Sequence, residues 1–255
     1  MPQHLRHVIL GSLCAMAVVG LAACSSSATS ASSSASAASS SAASSGSPAA
    51  GASASATKGA AAADPNAGLP SGTELAAMLL PADAVPSPLK PDSSGTRNSG
   101  SVFAAPSTAA VPTSQACAAL GATSWINAAG IESGSFAQND YTDSYSDMFA
   151  QEVDAFRGGD ATTVMAHLRH VFTECGTFKF TQGGSSYPEN LSWKTLPGVG
   201  DQAFKAVITS PDLDGGTTLV AVRVGDLVAT TLYNDQNTTG SAGVALTERL
   251  AKNLG

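Results

Sequence analysis

Thr217-Thr218-Leu219-Val220-Ala221-Val222-Arg223-Val224, then Gly225-Asp226, then Leu227-Val228-Ala229-Thr230-Thr231-Leu232-Tyr233 is the stretch that decides the fold class. Two strand-like apolar runs are separated by two turn residues, which is the signature of an antiparallel hairpin. Residues 177–181, 191–194 and 202–209 have the same strand-forming character, so this part of the chain reads as sheet. Before it, Ala161, Val164, Leu168, Val171, Phe172 and Cys175 recur at spacings of three and four. That spacing predicts a helix over 160–175 with one buried stripe, preceded by Gly158-Gly159-Asp160 as its cap. Ala242, Leu246, Leu250 and Leu254 mark a final amphipathic helix. The expected class is α+β: a largely antiparallel sheet flanked by helices.

Further upstream, Ser71 and Glu74 form a capping box before Leu75, Met78 and Leu79, predicting a short helix that Pro81 stops. Residues 86–95, with three prolines and a Ser-Ser-Gly cluster, read as an irregular surface crossing. A second helix follows Pro112, capped by Thr113 or Ser114, with Ala116, Cys117 and Leu120 inward and Gly121 at its end. A short helical turn is expected around Trp125, then polar alternation over 133–138 and 144–156. The second of these fits either period. Tyr145, Phe149, Val153 and Phe156 have helical spacing, whereas Phe149, Gln151, Val153 and Ala155 line one strand face. Strand is preferred because the Gly-Gly-Asp cluster then closes it. Residues 71–255 are expected to form one globular domain.

The amino-terminal part differs in kind. Arg6 and an apolar run from Val8 to Ala23 match a secretory signal, and the run is too short and too interrupted for a comfortable membrane span. Leu21-Ala22-Ala23-Cys24 resembles the lipobox of bacterial lipoproteins. The resemblance implies that residues 1–23 are removed and that the Cys24 thiol carries a diacylglyceryl group. Two acyl chains anchor stably where one does not. Residues 24–70 are almost wholly Ser, Ala, Gly and Thr, cannot form a core, and are expected to be a disordered tether. Its reach would be roughly 35–40 Å. The expected location is therefore the outer face of the cell membrane.

Of 255 residues, 12% are charged, with 19 acidic against 12 basic and a formal charge of -7. Without a basic cluster the chain is not expected to bind nucleic acid or anionic headgroups. Once Cys14 leaves with the signal and Cys24 is acylated, Cys117 and Cys175 remain. Both lie on inward helix stripes of an exported domain, so a disulfide is expected, with a buried thiol pair and a redox dithiol as the alternatives.

Phe149-Ala150-Gln151-Glu152-Val153, Phe156, Asp160-Ala161, Leu168, Phe172 and Cys175, with Cys117 upstream, resemble the extracellular sensor domain of PknH-type serine/threonine kinases and its lipoprotein relatives. Trp193, Leu196-Pro197-Gly198-Val199-Gly200-Asp201 and Val222-Arg223-Val224-Gly225 are similar to the segments that follow in such lipoproteins. The resemblance implies a sheet flanked by helices, a groove for an unidentified ligand and no enzymatic activity. These residues hold neither the second disulfide of the kinase domains nor a kinase segment, so a role in signalling across the membrane is not expected of them.

Catalytic and metal motifs are weak. Ser87-Pro88-Leu89-Lys90 matches S-x-x-K, but so does Ser55-Ala56-Thr57-Lys58 within the tether, and no K-T-G or G-x-S-x-G follows. His167, His170 and Glu174 share a helix face and Asp140, Asp143, Asp147, Asp212 and Asp214 cluster near turns, yet solvated faces and turn formation account for them better than zinc or calcium. No metal or cofactor is expected. Tyr141, Tyr145, Trp193 and Arg223 are the expected groove contacts, since aromatic faces and a fixed cation suit a glycan or a headgroup. The leading class is a non-catalytic envelope lipoprotein binding a small molecule, glycan or envelope protein. A scaffolding protein without a pocket is the second class. A wall hydrolase, needing a carboxylate or serine with a perturbed environment in a cleft, is the third.

Overall fold

In the computed structural model Gly225-Asp226 closes the expected hairpin: Val224 pairs with Leu227, and Gly225 takes a φ of +60° that a side chain would strain. The structure describes residues 64–182, 184–211, 215–235 and 241–255. The signal, Cys24, the tether through residue 63, and Asp212 and Asp214 lie outside the described residues.

Eight strands form one antiparallel sheet: β1 (Lys90–Asn98), β2 (Ser135–Thr142), β3 (Met148–Ala155), β4 (Thr177–Gln182), β5 (Ser185–Thr195), β6 (Gln202–Thr209), β7 (Gly216–Val224) and β8 (Leu227–Asp235). Their order is β1-β2-β3-β8-β7-β6-β5-β4. Two consecutive-strand meanders are thus joined where β3 meets β8, with Phe149 opposite Tyr233 and Val153 opposite Ala229. Helices cover both faces. On one side lie α2 (Thr113–Ala119), a 3-10 turn (Trp125–Ala129) and α3 (Asp160–Glu174), over a core containing Trp125, Leu168, Phe172, Phe204 and Leu219. On the other lie α1 (Gly72–Ala76) and α4 (Ser241–Lys252), over Leu75, Phe149, Val153, Val222 and Leu250. The expected fold class is the observed one. Among the described residues no helix is long and apolar enough to cross a membrane.

The α3 stripe buries Ala161, Val164, Leu168, Val171 and Phe172 as its spacing requires. Each large apolar side chain so buried contributes about 1.5–3 kcal/mol over exposure. Its N-cap, Gly159 at φ 91°, falls within the expected Gly158-Gly159-Asp160 cluster and makes no side-chain bond, and Asp160 is the first helical residue, where it complements the helix dipole. The cap of α2 differs from expectation: Pro112, and neither Thr113 nor Ser114, occupies it. The Ser71–Glu74 capping box is present in full.

Residues 90–98 correct the reading of an irregular crossing. They form edge strand β1, which tolerates Pro91 because an edge leaves one side of the backbone unpaired. The Ser-Ser-Gly cluster is nevertheless irregular within it, since the β1–β2 register slips between Asp92 and Arg97. Ordered structure also begins before 71: Arg157 Nε donates to Asn66 Oδ1 at 2.8 Å, and Ser135 Oγ donates to the Pro70 carbonyl at 2.5 Å.

Cys117 and Cys175 form a disulfide, joining α2 to the end of α3 across 58 residues of sequence. Closing a loop of that length in the unfolded chain corresponds to about 4 kcal/mol in the chain-entropy model. The double variant Cys117→Ser/Cys175→Ser is expected to unfold at lower urea concentration with a loss of about 2–4 kcal/mol. Unchanged stability in equilibrium denaturation would show that the cross-link does not constrain the domain.

Candidate functional site

Central strand β3 is covered by a helical layer on each face, and this places two carboxylates in the interior. Phe149, Gln151, Val153 and Ala155 turn toward the α1/α4 layer, as alternation predicts. Glu152 and Asp154 turn the other way, and each is only 4% exposed. Glu152 stands between Gln138 of β2 and Thr230 of β8; Asp154 stands between Phe136 and Val228.

The irregular part of β1 supplies the cation. Residues 93–96 bulge, and Gly95 sits so close to Asp140 that a Cβ there would come within 2.2 Å of the carboxylate. A bulge of this kind re-aims the side chain that follows it. Arg97 Nε donates to Gln138 Oε1 at 2.9 Å, Nη2 donates to Ser124 Oγ, and the guanidinium lies 5.6 Å from the centre of the Phe136 ring. Ser124 Oγ donates to the same Gln138 oxygen at 2.8 Å, while Gln138 Nε2 donates to Thr123 Oγ1 at 2.8 Å and to Asp140 Oδ1 at 2.9 Å. Below this network lies a recess of about 160 Å³ walled by Arg97, Ile126, Ile131, Phe136, Glu152 and Asp154.

Burial dominates the electrostatics of that recess. It pushes the Glu152 carboxyl up to about 7, against the opposing hydrogen bond from Ser124 and the charge of Arg97. Asp154 is held well above the usual carboxylate range, first by burial and then by the charge of Glu152. Asp140 is raised as well, again chiefly by burial. Glu152 and Asp154 therefore titrate as a pair. Among the described residues, Glu152 Oε2, Asp154 Oδ2 and Thr230 Oγ1 are buried without a hydrogen-bond partner. Leaving such an atom unsatisfied costs about 1–3 kcal/mol, so a donor placed in the recess would be held there.

The residues expected to contact a ligand do not converge. Tyr141 is 2% exposed, stacks on Phe149 with ring centres 6.1 Å apart, and donates its hydroxyl to the Leu80 carbonyl at 2.9 Å. Trp193 lies on the opposite face, edge-on to Phe204 at 6.4 Å. Tyr145 is exposed in the β2–β3 turn. Arg223 Nη1 is 3.1 Å from Asp201 Oδ2 and donates to the Gly225 carbonyl at 3.0 Å, tying the β7–β8 turn to the β5–β6 loop. Strand alternation separates the first two across the sheet, and core packing occupies both rings.

The weak metal motifs have structural partners. His167 Nδ1 is 2.8 Å from the Ala129 carbonyl, and Asp143 Oδ1 accepts from the amides of Tyr145 and Asp147 at 2.7 and 3.0 Å. A second, wider depression of about 410 Å³ lies against Asp83, Arg249 and Lys252. Arg249 donates to the Ala84 carbonyl at 2.7 Å and Asn253 to the Met78 carbonyl at 3.0 Å, so these groups fasten α4 to the segment after α1. The acidic recess was missed in the sequence because Glu152 and Asp154 occupy the positions between the apolar ones, which a half-buried strand leaves in water. The available signal was that a strand sandwiched by helices has no wet face.

An α+β domain with an antiparallel sheet between two helical layers, cross-linked from α2 to α3, is the class these features define. No protein-family model matches the chain, and no curated protein matches its sequence. Among solved structures, it is similar to the extracellular domain of PknH from Mycobacterium tuberculosis at 17% identity and a TM-score of 0.55, over 73% of this chain and 97% of that one. At this identity the likeness is one of fold, and at that level it agrees with the family resemblance of the sequence.

The raised carboxyls give the domain a defined pH dependence. Both bind a proton more tightly folded than unfolded, so their stabilising contribution is complete below the unfolded values of 4.5 for Glu152 and 3.8 for Asp154; that of Glu152 is lost as pH rises through about 7, and that of Asp154 as pH rises through its own raised value. Glu74 and Asp92, held down by hydrogen bonds from Ser71 and Ser94, titrate below this window. Thermal melts should show the wild type losing about 1–3 kcal/mol between pH 5 and pH 8. Glu152→Gln/Asp154→Asn should lose markedly less over the same range, with the raised carboxyls of Asp140 and Glu189 left to contribute, and a wild type that gains stability on going to pH 8 would contradict the assignment.

Proposed function

We propose that the protein is a cell-envelope lipoprotein, held on the outer face of the membrane through Cys24, whose domain is a non-catalytic module that binds a ligand in the Glu152/Asp154 recess. The observation that carries this reading is the recess itself, where buried carboxylate oxygens lack donors beside Ile126, Ile131, Phe136 and Phe156. The likeness to an extracellular domain supports an exported setting. Leu21-Ala22-Ala23-Cys24 supports the anchor.

The hydrolase class has one observation in its favour, since two perturbed carboxyls in a recess are what acid–base chemistry requires. Volume argues against it. About 160 Å³ is too small for sugar rings on both sides of a scissile bond. The scaffolding class finds less support: among the described residues the exposed large apolar ones, Val102 and Tyr145, lie toward opposite ends of β2 and form no patch.

Mass spectrometry of protein extracted from membranes under native conditions tests the proposal. The expected result is a chain beginning at an acylated Cys24 that carries a non-covalent small-molecule mass, with Cys24→Ala recovered in the soluble fraction. An unmodified chain that starts at Met1 and remains soluble would refute the anchor. Release of soluble fragments from wall polymer by the purified domain would refute the non-catalytic reading.

A further inference from the structure

We infer that the Glu152/Asp154 recess is a site for a small organic ammonium, a protonated primary amine with a short apolar remainder. This rests on the ligand-binding reading above and names its chemistry. Four observations lead to it. First, the unsatisfied carboxyl oxygens Glu152 Oε2 and Asp154 Oδ2 only accept once ionised, so they call for a donor with several hydrogens, and a primary ammonium has three. Second, Arg97 does not fill that role, because its guanidinium is engaged by Gln138 and Ser124 and lies over Phe136.

Third, the lining carries Glu132, Glu152 and Asp154 against Arg97, so an ionised recess has a net negative charge that favours a cation. Fourth, Ile126, Ile131, Phe136 and Phe156 stand in the wall beside the polar Asn127 and Ser133, so the recess offers a short apolar remainder a place next to the carboxyls. Among the described residues no group of three His, Cys, Asp or Glu side chains is placed to hold a metal. Size completes the description. At about 30 Å³ for each water in the liquid, the recess has room for roughly five non-hydrogen atoms.

Binding must displace a proton. The carboxyl pair facing Arg97, Asp140 and Glu132 retains a proton near neutrality, and an arriving ammonium stabilises the ionised form instead. The proton passes to buffer and the amine keeps its own. Affinity should therefore rise with pH through about 7 and level off once the pair is ionised.

The test uses the wild-type domain with n-butylammonium and ethanolammonium as probes, and 1-butanol and calcium chloride as controls. Calorimetry in two buffers of different ionisation enthalpy, with amide chemical shifts followed in parallel, should give binding near about 1 mM, within the limit for a ligand this small. It should also give net proton release at pH 6.5, and shifts centred on Ile126, Ile131 and Glu152. Glu152→Gln should weaken n-butylammonium at least about tenfold while its thermal midpoint at pH 8 is retained or raised.

Equal binding of 1-butanol, or binding of calcium alone at these residues, would overturn the ammonium assignment. So would binding of the ammonium probes without proton release in the wild type, a readout that depends on no variant. Failure of every probe while membrane-extracted protein still carries a non-covalent mass would overturn the ligand class and leave the binding function standing.

Discussion

Burial of β3 on both faces is the constraint on which the rest of the structure depends. β3 is where the two meanders meet, paired with β2 on one side and β8 on the other, so any side chain on it enters one of two cores. Alternation sends Phe149, Val153 and Ala155 into one core without cost. It sends Glu152 and Asp154 into the other, where a charge is expensive and a proton is the cheapest remedy. The recess, its raised carboxyls and its need for a donor all follow from that geometry.

Gln151 shows the contrasting solution on the same strand. It is fully buried, yet its Oε1 accepts from the Leu80 amide at 2.9 Å and its Nε2 donates to the Leu80 carbonyl at 2.9 Å and to Asn139 Oδ1 at 2.7 Å. One side-chain amide thus reads a peptide unit as a strand neighbour would, and fixes the segment after α1 to the sheet. A satisfied buried amide stabilises and orders its surroundings. Similar fastening occurs elsewhere: Trp125 Nε1 donates to the Thr231 carbonyl at 3.3 Å, and Thr231 and Thr247 share a hydrogen bond of 2.6 Å between β8 and α4. Gly243 lets α4 approach closely, since a Cβ there would fall 2.7 Å from that of Tyr233. With the disulfide at the α2–α3 end, each helical layer has a specific attachment besides its apolar contacts.

Where periodicity and turn chemistry act locally, the sequence was legible. The stripe of α3, the Gly225-Asp226 hairpin, strand 202–209 and the Ser71 capping box needed no tertiary information, and the cysteine pairing followed from export and helix stripes. Residues 90–98 were illegible for a physical reason: an edge strand has no alternation to display, and its prolines and bulge resemble a loop. The chosen contact residues failed to gather because a lone aromatic carries no mark of which sheet face it will occupy. Glu152 and Asp154 were hidden by the opposite error, since acidic residues on a strand read as solvent-facing until a second helical layer is known. The tilt of Arg97 toward them depends on a register slip that leaves no trace in composition.

The acidic pair is also where local preference and global fold disagree, and that disagreement is informative. Its neighbours on the same face are Ala150, Phe136 and Val228 around Asp154 and Gln138 and Thr230 around Glu152, and these leave Glu152 Oε2 and Asp154 Oδ2 without a donor, so apolar residues of similar volume would be neutral or stabilising there. Sites that break a packing rule without local compensation are the ones at which function is to be sought. An occupant that supplies the missing donors at ten times its dissociation constant would add about 1.4 kcal/mol to the folded state, comparable with what the unsatisfied oxygens take away. That gain would fall on groups around the β1 bulge and the turn at Trp125–Ala129, because Arg97, Ser124 and Gln138 bond to one another and Ser124 and Gln138 adjoin Glu152. Occupancy of the recess would in this way be coupled to the order of one edge of the sheet, at β1.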